Sequence, residues 1–553
     1  MQQTILDVLA YWETLALPVK HMMYDSWWYW KECGGASNTW LNCRGAVELW
    51  EPRTDVFPSG FQFKEPLPLA LHNRYFSANN NTYANDLGFA SSFIIEKNVD
   101  LALPVKADVF TYMMSRAKAW GAVLYEQDWL ITVWRGMNVT RSSVTASHDW
   151  LAAMAEAATS LGLTIQCVTL LAVPELCLKF CGALTLPHRR PTLFIPLYRY
   201  CMPLPRHMLE STHFQAVTNA RASGDYHPGA DNYKIHLSSL FYWAIGIAPS
   251  KDDYWTTETQ TGSPYGDNPT EPYVIELPYL PTVRPARPQT FSCILPRARP
   301  YLSPTPRSNW QLQALTVALS TGPNGPSDKI GFTNASLVMS TVRGDGLTLQ
   351  PDRPATLLDA AVLQVFSGSG ALPEVRSTWT AHDGHALRWH NVLAVSLAAP
   401  FAFGAPDLGP VGNAANFAVF DWFNPTAALA ILPADGSKRF TIPATQGQPS
   451  APATAHSIQH LVVVPELPGG WWVFGEQGKV VGMSHQRIDH VVQTAGDGFT
   501  ATVLGSAGET AGVSFLIAGP KDGGVLKPVK CPSAAGKTAT LTCSAATNAC
   551  TCA

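Results

Sequence analysis

Three aspartates stand where short apolar runs stop. Asp25 closes residues 19–25, Asp128 closes 122–128, and Asp225 follows 216–220 through a Gly-Asp turn. Each run reads as a strand. In Leu124-Tyr125-Glu126-Gln127-Asp128, side chains alternate, so Glu126 and Asp128 share a face with Leu124. If that face looks inward, Asp128 lies at the mouth of a sheet and Glu126 one layer deeper. Two inward acids are costly to bury unless they are paired or used. Arg221, four residues before Asp225, could hold a second carboxylate or a sugar hydroxyl. Two carboxyl groups on different strands facing one cleft are what glycoside hydrolysis needs. One acts as nucleophile or base; the other, with a raised pKa, protonates the leaving oxygen. A lone strand-end Asp serves equally well as a helix cap or a structural ion pair.

The elements that must position these residues fall into two textures. Residues 1–365 alternate apolar runs with amphipathic helices. Strands are predicted at 19–25, 68–72, 122–128, 163–166 and 216–220, and another just before PSKDDYW. A helix is predicted over 107–120, with Phe110, Met113, Met114 and Ala117 on one face and Gly121 ending it. Another is predicted over 148–160, stopped by Gly162. This rhythm predicts an α/β domain, a (β/α)8 TIM barrel, with active residues at the C-terminal ends of its strands. Residues 366–520 instead carry strand-like runs between turn residues, at 391–397, 417–423, 439–442, 460–465, 471–474, 479–483, 499–504 and 513–518. They predict an antiparallel β-sandwich. Residues 521–553 are a tail with Cys531, Cys543, Cys550 and Cys552, read as a stapled hairpin or a disordered end.

Two stretches do not fit the barrel. Residues 167–199 split a strand and hold three of the eleven Cys. Residues 277–310 carry eight Pro, five Arg and no acid. Both read as recent insertions or translated non-coding sequence, since long structureless inserts are uncommon inside a compact barrel.

Composition excludes some functions. Charged residues are 14% of the 553, and 38 Lys+Arg against 41 Asp+Glu give a net charge of −3. No basic stripe exists to neutralise phosphates, so nucleic acid is not expected as a partner. No membrane span is expected either: the most apolar window, 161–186, is broken by Pro174, Glu175 and Lys179. The 18 Trp suit a carbohydrate partner, because indole faces pack on pyranose CH groups, though any one of them serves equally well as core. Sequons at Asn80, Asn138 and Asn334, with the crowded C-terminal Cys, lean toward a secreted or lumenal protein. Cys33 and Cys43 are a candidate disulfide, or two free thiols. The N-terminus has no basic n-region and no cleavage site, so a missing natural start would reconcile these signals.

The segment RASGDYHPGADNYKIHLSSLFY (221–242) resembles the raffinose synthase and α-galactosidase group of retaining glycoside hydrolases. There an Arg-x-x-x-Asp pattern closes the sixth barrel strand, matched here by Arg221 and Asp225. Residues 320–356, with Gly-Pro, Ser-Asp and a downstream Asp-Gly-x-x-Leu-x-x-x-x-Pro order, are similar to the group's eighth strand and following loop. Asp25-Ser26-Trp27-Trp28 resembles the end of its first strand, and Asp128 falls at its nucleophile. The resemblance covers roughly residues 15–365 without the two odd stretches, and lacks the group's N-terminal β-sandwich. It implies a retaining mechanism with Asp128 as nucleophile and Asp225 as acid/base, with the carboxyls about 5–5.5 Å apart rather than about 6.5–9.5 Å. The substrate would be an oligosaccharide or glycoside, touched by Asp25, Trp27, Trp28, Glu126, Arg221 and Asp253, and no cofactor is required. Where the group has a Lys that binds sugar hydroxyls and steadies the nucleophile, this chain has Glu126. That departure keeps open a transglycosidase and an inactive carbohydrate-binding homologue, and the inserts keep open a chain that does not fold as written.

Weaker features complete the reading. Trp129 and Trp134 are further candidate sugar platforms. Asp252, Asp253 and Tyr254 could meet sugar hydroxyls or form a solvated loop. His382, His385 and His390 match no common zinc spacing. No phosphate loop or nucleotide fingerprint is present.

Overall fold

Six apolar runs become parallel strands in the order in which the chain makes them. They are β1 (Met22–Tyr24), β2 (Leu69–Asn73), β3 (Ala122–Gln127), β4 (Thr164–Cys167), β5 (Val217–Arg221) and β6 (Ala248–Ser250). Each is hydrogen-bonded to the next, giving one singly wound parallel sheet. The computed structural model describes residues 2–32, 45–62, 67–167, 210–226, 233–261, 310–366, 372–382, 387–444, 457–494, 497–506, 509, 512–532 and 538–553. Cys33, Cys43, His385 and nearly all of the two expected inserts lie outside the described residues.

The connecting helices form where the sequence gives them one apolar face. Ala107–Ala119 buries Phe110, Met113, Met114 and Ala117, with Asp108 in its first turn and Arg116 and Lys118 in its last, as the helix dipole favours. Ala146–Leu161 packs on it and buries Trp150, Leu151 and Met154. Gly162 then turns left-handed at φ 65°, the conformation a C-terminal stop requires. These faces close over Leu69, Leu71 and Ile165 of the sheet as one core. Each such side chain contributes about 1.5–3 kcal/mol by leaving water.

The sheet is six-stranded and open among the described residues, and no ring of eight strands is closed. The stretch expected as strand eight and its loop nevertheless runs along both edges. A Cβ on Gly322 would lie 2.4 Å from the Pro249 carbonyl oxygen beside β6, and one on Gly346 would lie 1.9 Å from that of Pro18, just before β1. Only glycine allows these approaches.

The C-terminal region is antiparallel, as its alternation predicts. One six-stranded sheet runs in the order Thr356–Leu357, Val375–His382, Leu387–Val395, Ile458–Pro465, Asn416–Asp421, Ala430–Pro433. Its Trp389, Phe420 and Val464 share a core with Phe515, Phe499 and Leu541 from a three-stranded and a four-stranded sheet. Two expectations change here. The residues read as a separate tail pair directly with these sheets: Lys527–Cys531 with Val513–Ala518, and Thr538–Ser544 with Gly498–Leu504. Disulfides Cys531–Cys552 and Cys543–Cys550 tie the last strands together. And 479–483 is a turn, not a strand, because Lys479 Nζ leaves the sheet to bond the carbonyls of Met339 (2.6 Å) and Val342 (2.8 Å) at the end of the helix Ala335–Met339.

Candidate active site

Register decides which side chains meet at the C-terminal end of the parallel sheet. His72 pairs with Glu126, Glu126 with Gln166, and Gln166 with Asn219, so one row crosses four strands. Tyr24 pairs with Leu71, which sets Asp25 level with His72. The row is linked by side chains: Asn219 Nδ2 donates to Gln166 Oε1 (2.8 Å) and Gln166 Nε2 to Glu126 Oε1 (3.4 Å). Two residues further along, the same inward face presents Asp128 and Arg221. Alternation thus stacks an acid and two amides beneath an acid and a guanidinium.

Asp128 is buried and firmly held. Its Oδ2 lies 3.2 Å from His72 Nε2, and its Oδ1 accepts the Trp129 amide at 2.6 Å. Its own amide donates to the Asn73 carbonyl (2.9 Å), carrying the strand pairing one residue past β3. Trp129 pays for that hold with a left-handed backbone, φ 58°, a conformation non-glycine residues adopt at some cost and mostly at functional sites. The Arg74 guanidinium lies 4.2 Å from the centre of its ring.

Asp225 comes from the loop after β5. Arg221 donates from Nη2 to its Oδ1 at 2.7 Å and from Nη1 to Asp252 Oδ1 at 3.1 Å. Asp252 in turn accepts the Tyr226 amide (2.6 Å). The Asp225 side chain is 53% exposed, and Asp25 is exposed too. Even so, desolvation by the surrounding protein is the largest influence on both pKa values.

The electrostatics couple the acids across strands. Burial raises the Asp225 carboxyl, Arg221 opposes it, and the charges of Asp252, Asp128 and Asp25 raise it further, leaving it above the usual range. For Asp25 burial also pushes up, but His72, the Ser26 amide and hydroxyl, and Arg221 together outweigh it, so its pKa falls. Glu126 is pushed up to about 8, chiefly by burial, and is mostly protonated at neutral pH. Burial would lower His72, but Asp25, the bond to Asp128, and Glu126 raise it above its ordinary value. The Asp253 carboxyl is raised by desolvation and by the charge of Asp252, although the residue as a whole is exposed.

The structure therefore gathers Asp25, Glu126, Asp128, Arg221 and Asp225 at the C-terminal end of the parallel sheet, close enough for their charges to act on one another. Asp253 stands exposed in the loop after β6, where the buried Lys251 binds its carbonyl (2.8 Å). The tryptophans divide. Trp27 is half-buried against Tyr24 and Phe57, and Trp129 and Trp134 are also half-buried. Trp28, expected as a sugar contact, is 0% exposed and packs against Tyr29, Trp50, Phe61 and Trp120, so its ring belongs to the core. Tyr254 is closed off as well, its hydroxyl bonding Asn324 Oδ1 at 2.9 Å. In the C-terminal region His382 bonds the Met483 carbonyl (2.9 Å), while His390 packs on Phe417. Sequence reasoning missed His72, Tyr29, Gln166 and Asn219. His72 ends the second apolar run as Asp25 ends the first, so the same rule applied to every strand end would have found it.

No protein-family model and no curated protein matches the sequence. Among solved structures, the α-galactosidase from Lactobacillus brevis is similar at 8% identity and TM-score 0.43, over 84% of this chain and 53% of that one. The chain thus spans about half the length of that protein. A GH27 β-L-arabinopyranosidase from Geobacillus stearothermophilus is similar at 10% identity and TM-score 0.44, over 83% of this chain and 92% of that one. A bifunctional glucanase-xylanase from a metagenome library reaches 12% identity and TM-score 0.27, over 82% and 94% of the two chains. At these levels the likenesses assign no family and no activity.

Proposed function

We propose that the protein is a retaining glycosidase acting on α-glycosides, in the manner of an α-galactosidase, with Asp128 as nucleophile and Asp225 as acid/base. On this reading the sheet belongs to a (β/α)8 barrel whose last arc runs through residues 320–356. The observation that carries the reading is that Asp128, just past β3, and Asp225, in the loop after β5, stand near enough for the Asp128 charge to raise the Asp225 carboxyl. Asp128 attacks the anomeric carbon as the bond to the leaving oxygen breaks, and Asp225 gives that oxygen its proton. Water then attacks the glycosyl ester, Asp225 takes a proton from it, and Asp128 leaves as carboxylate.

The charges support this division of labour. A general acid must hold its proton until the bond breaks, and Asp225 is raised by burial and by three neighbouring carboxylates. Forming the ester removes the Asp128 charge, so Asp225 becomes more acidic when it must act as base. Glu126, held mostly protonated, adds little negative charge beside the nucleophile and can still bond a sugar hydroxyl. Arg221 orients Asp225.

Release of p-nitrophenol from a panel of p-nitrophenyl α- and β-glycosides, for wild type beside Asp128→Asn, tests the proposal. Turnover of one α-glycoside, lost in the folded variant, is expected. A folded wild type that releases nothing from any α-glycoside, or a variant with near-normal turnover, overturns it.

A further inference from the structure

We propose that His72 is a positioning residue of this site: its imidazolium, fixed by Tyr29, supplies from β2 the cation that the resemblance places at residue 126, and holds the Asp128 carboxylate for attack. The inference rests on Asp128 being the nucleophile.

Both ring nitrogens of His72 are engaged. Nε2 faces Asp128 Oδ2 at 3.2 Å, and Nδ1 lies 3.0 Å from the Tyr29 hydroxyl oxygen. The two rings lie nearly parallel, at 11°, with their centres 6.1 Å apart, as the bond between the hydroxyl and the ring nitrogen requires. His72 is 4% exposed and Tyr29 0%, so neither swings freely. The ionisable groups acting on His72 come from three elements: Asp25 after β1, Tyr29 on the strand Tyr29–Lys31, and Glu126 and Asp128 from β3. Tyr29 is raised well above its ordinary value by burial, so it stays neutral and can accept the Nδ1 proton. Glu126 is mostly protonated. That leaves the carboxylates of Asp25 and Asp128 facing one imidazole, an arrangement that favours its charged form. A Lys at 126 would reach the nucleophile from its own strand; here the cation sits on the neighbouring strand, level with Glu126.

The test follows the imidazole signals of the full chain, labelled at histidine, from pH 5 to pH 9, with His72→Gln assigning the signal. We expect His72 to titrate above the ordinary 6.5, and its midpoint to fall by about one unit or more in Asp128→Asn. A midpoint at or below 6.5 in wild type, or one unmoved in the variant, overturns the proposal. On the α-glycoside that wild type cleaves, His72→Gln is expected to lower kcat about 10–100-fold with less change in KM, because the nucleophile loses the group that holds it. His72→Lys is expected to restore part of kcat. Tyr29→Phe, which removes only the Nδ1 partner, gives a smaller loss in the same direction should His72→Gln fail to fold. If wild type cleaves no glycoside, the glycosidase reading fails while the titration still decides the ion pair. If turnover depends on Asp128 but the His72 midpoint does not move in Asp128→Asn, the reading stands and the role of His72 falls.

Discussion

Two buried arginines, one in each half of the molecule, are used in opposite ways. Arg487 in the C-terminal region is 0% exposed and saturated: Nε donates to Glu476 (2.6 Å), Nη1 to the Leu504 carbonyl (2.6 Å) and to Glu509 (2.9 Å), and Nη2 to Glu509. Lys479 lies 3.9 Å from Glu476, so two cations meet two carboxylates. Arg221 meets Asp225 and Asp252, its Nε has no partner among the described residues, and Asp25, Asp128 and Glu126 stand nearby. A balanced, fully bonded network holds strands in place. Carboxyl groups gathered around a partly bonded guanidinium would suit a reaction whose transition state develops positive charge on a sugar ring.

The histidines repeat the contrast. His382, His390 and His460, among the antiparallel strands, are lowered by burial to about 4, 3 and 3 and remain neutral, whereas His72, equally buried, is raised by the carboxylates around it. Burial alone suppresses a charge; burial beside carboxylates can create one.

The largest effect that could break this comparison is on turnover. Asp128→Asn is expected to cut kcat roughly 10³–10⁵-fold with the far-ultraviolet dichroism and melting temperature little changed. Asp225→Asn should cost about 10²–10⁴-fold, less on glycosides whose leaving group needs no proton. Its stability should stay within roughly 1 kcal/mol of wild type, since it removes one of several mutually repelling acids. A large loss of stability in either variant would make the cleft a structural network like that of Arg487.

The reverse pattern is expected across the molecule. Arg487→Met strands Glu476 and Glu509 without their main partner and should lower unfolding free energy by about 3–5 kcal/mol in denaturant titration, with kcat kept where the protein stays folded. A kcat loss as large as that of Asp128→Asn would erase the distinction between the two arginines.

The smallest effect is a pH dependence. Glu126 loses its proton near the ordinary 4.5 when unfolded but near 8 when folded. Between those values the unfolded chain holds fewer protons than the folded one, so stability falls as pH rises through that window. Glu126→Gln lacks this fall. Thermal melts at pH 5, 7 and 9 should show the variant gaining on wild type with rising pH, by roughly 1–3 kcal/mol at pH 8. Equal slopes would mean that Glu126 titrates normally.

Much of the scaffold was legible because it rests on local pattern. The period of Phe110, Met113, Met114 and Ala117, the Gly162 stop, and the alternation of Glu126 with Asp128 are properties of a few adjacent residues, and the structure keeps them. The helix expected over 148–160 runs Ala146–Leu161, and the strand expected over 216–220 is Val217–Arg221. Strand ends were therefore readable, and with them Asp25, Asp128 and Asp225. Trp28 misled because an indole suits a sugar platform and a core equally, and only its neighbours separate the two. The stapled hairpin expected in the tail is there, Thr538–Ser544 against Ala549–Cys552 with Cys543 bonded to Cys550, but its joining to Gly498–Leu504 was not readable, because no short-range pattern connects strands that far apart.

By itself, then, the amino-acid order determined which segments become helix or strand, which face of each is apolar, and that carboxylates would stand at strand ends. Those follow from interactions within a turn or two of chain. Tertiary structure alone decided that His72 would lie beside Asp128, that Glu126 would sit mostly protonated in one row with Gln166 and Asn219, and that Arg221 would clamp Asp225 and Asp252. Register between strands far apart in sequence sets each of these, and the charge a buried group carries depends on neighbours that only the folded chain assembles.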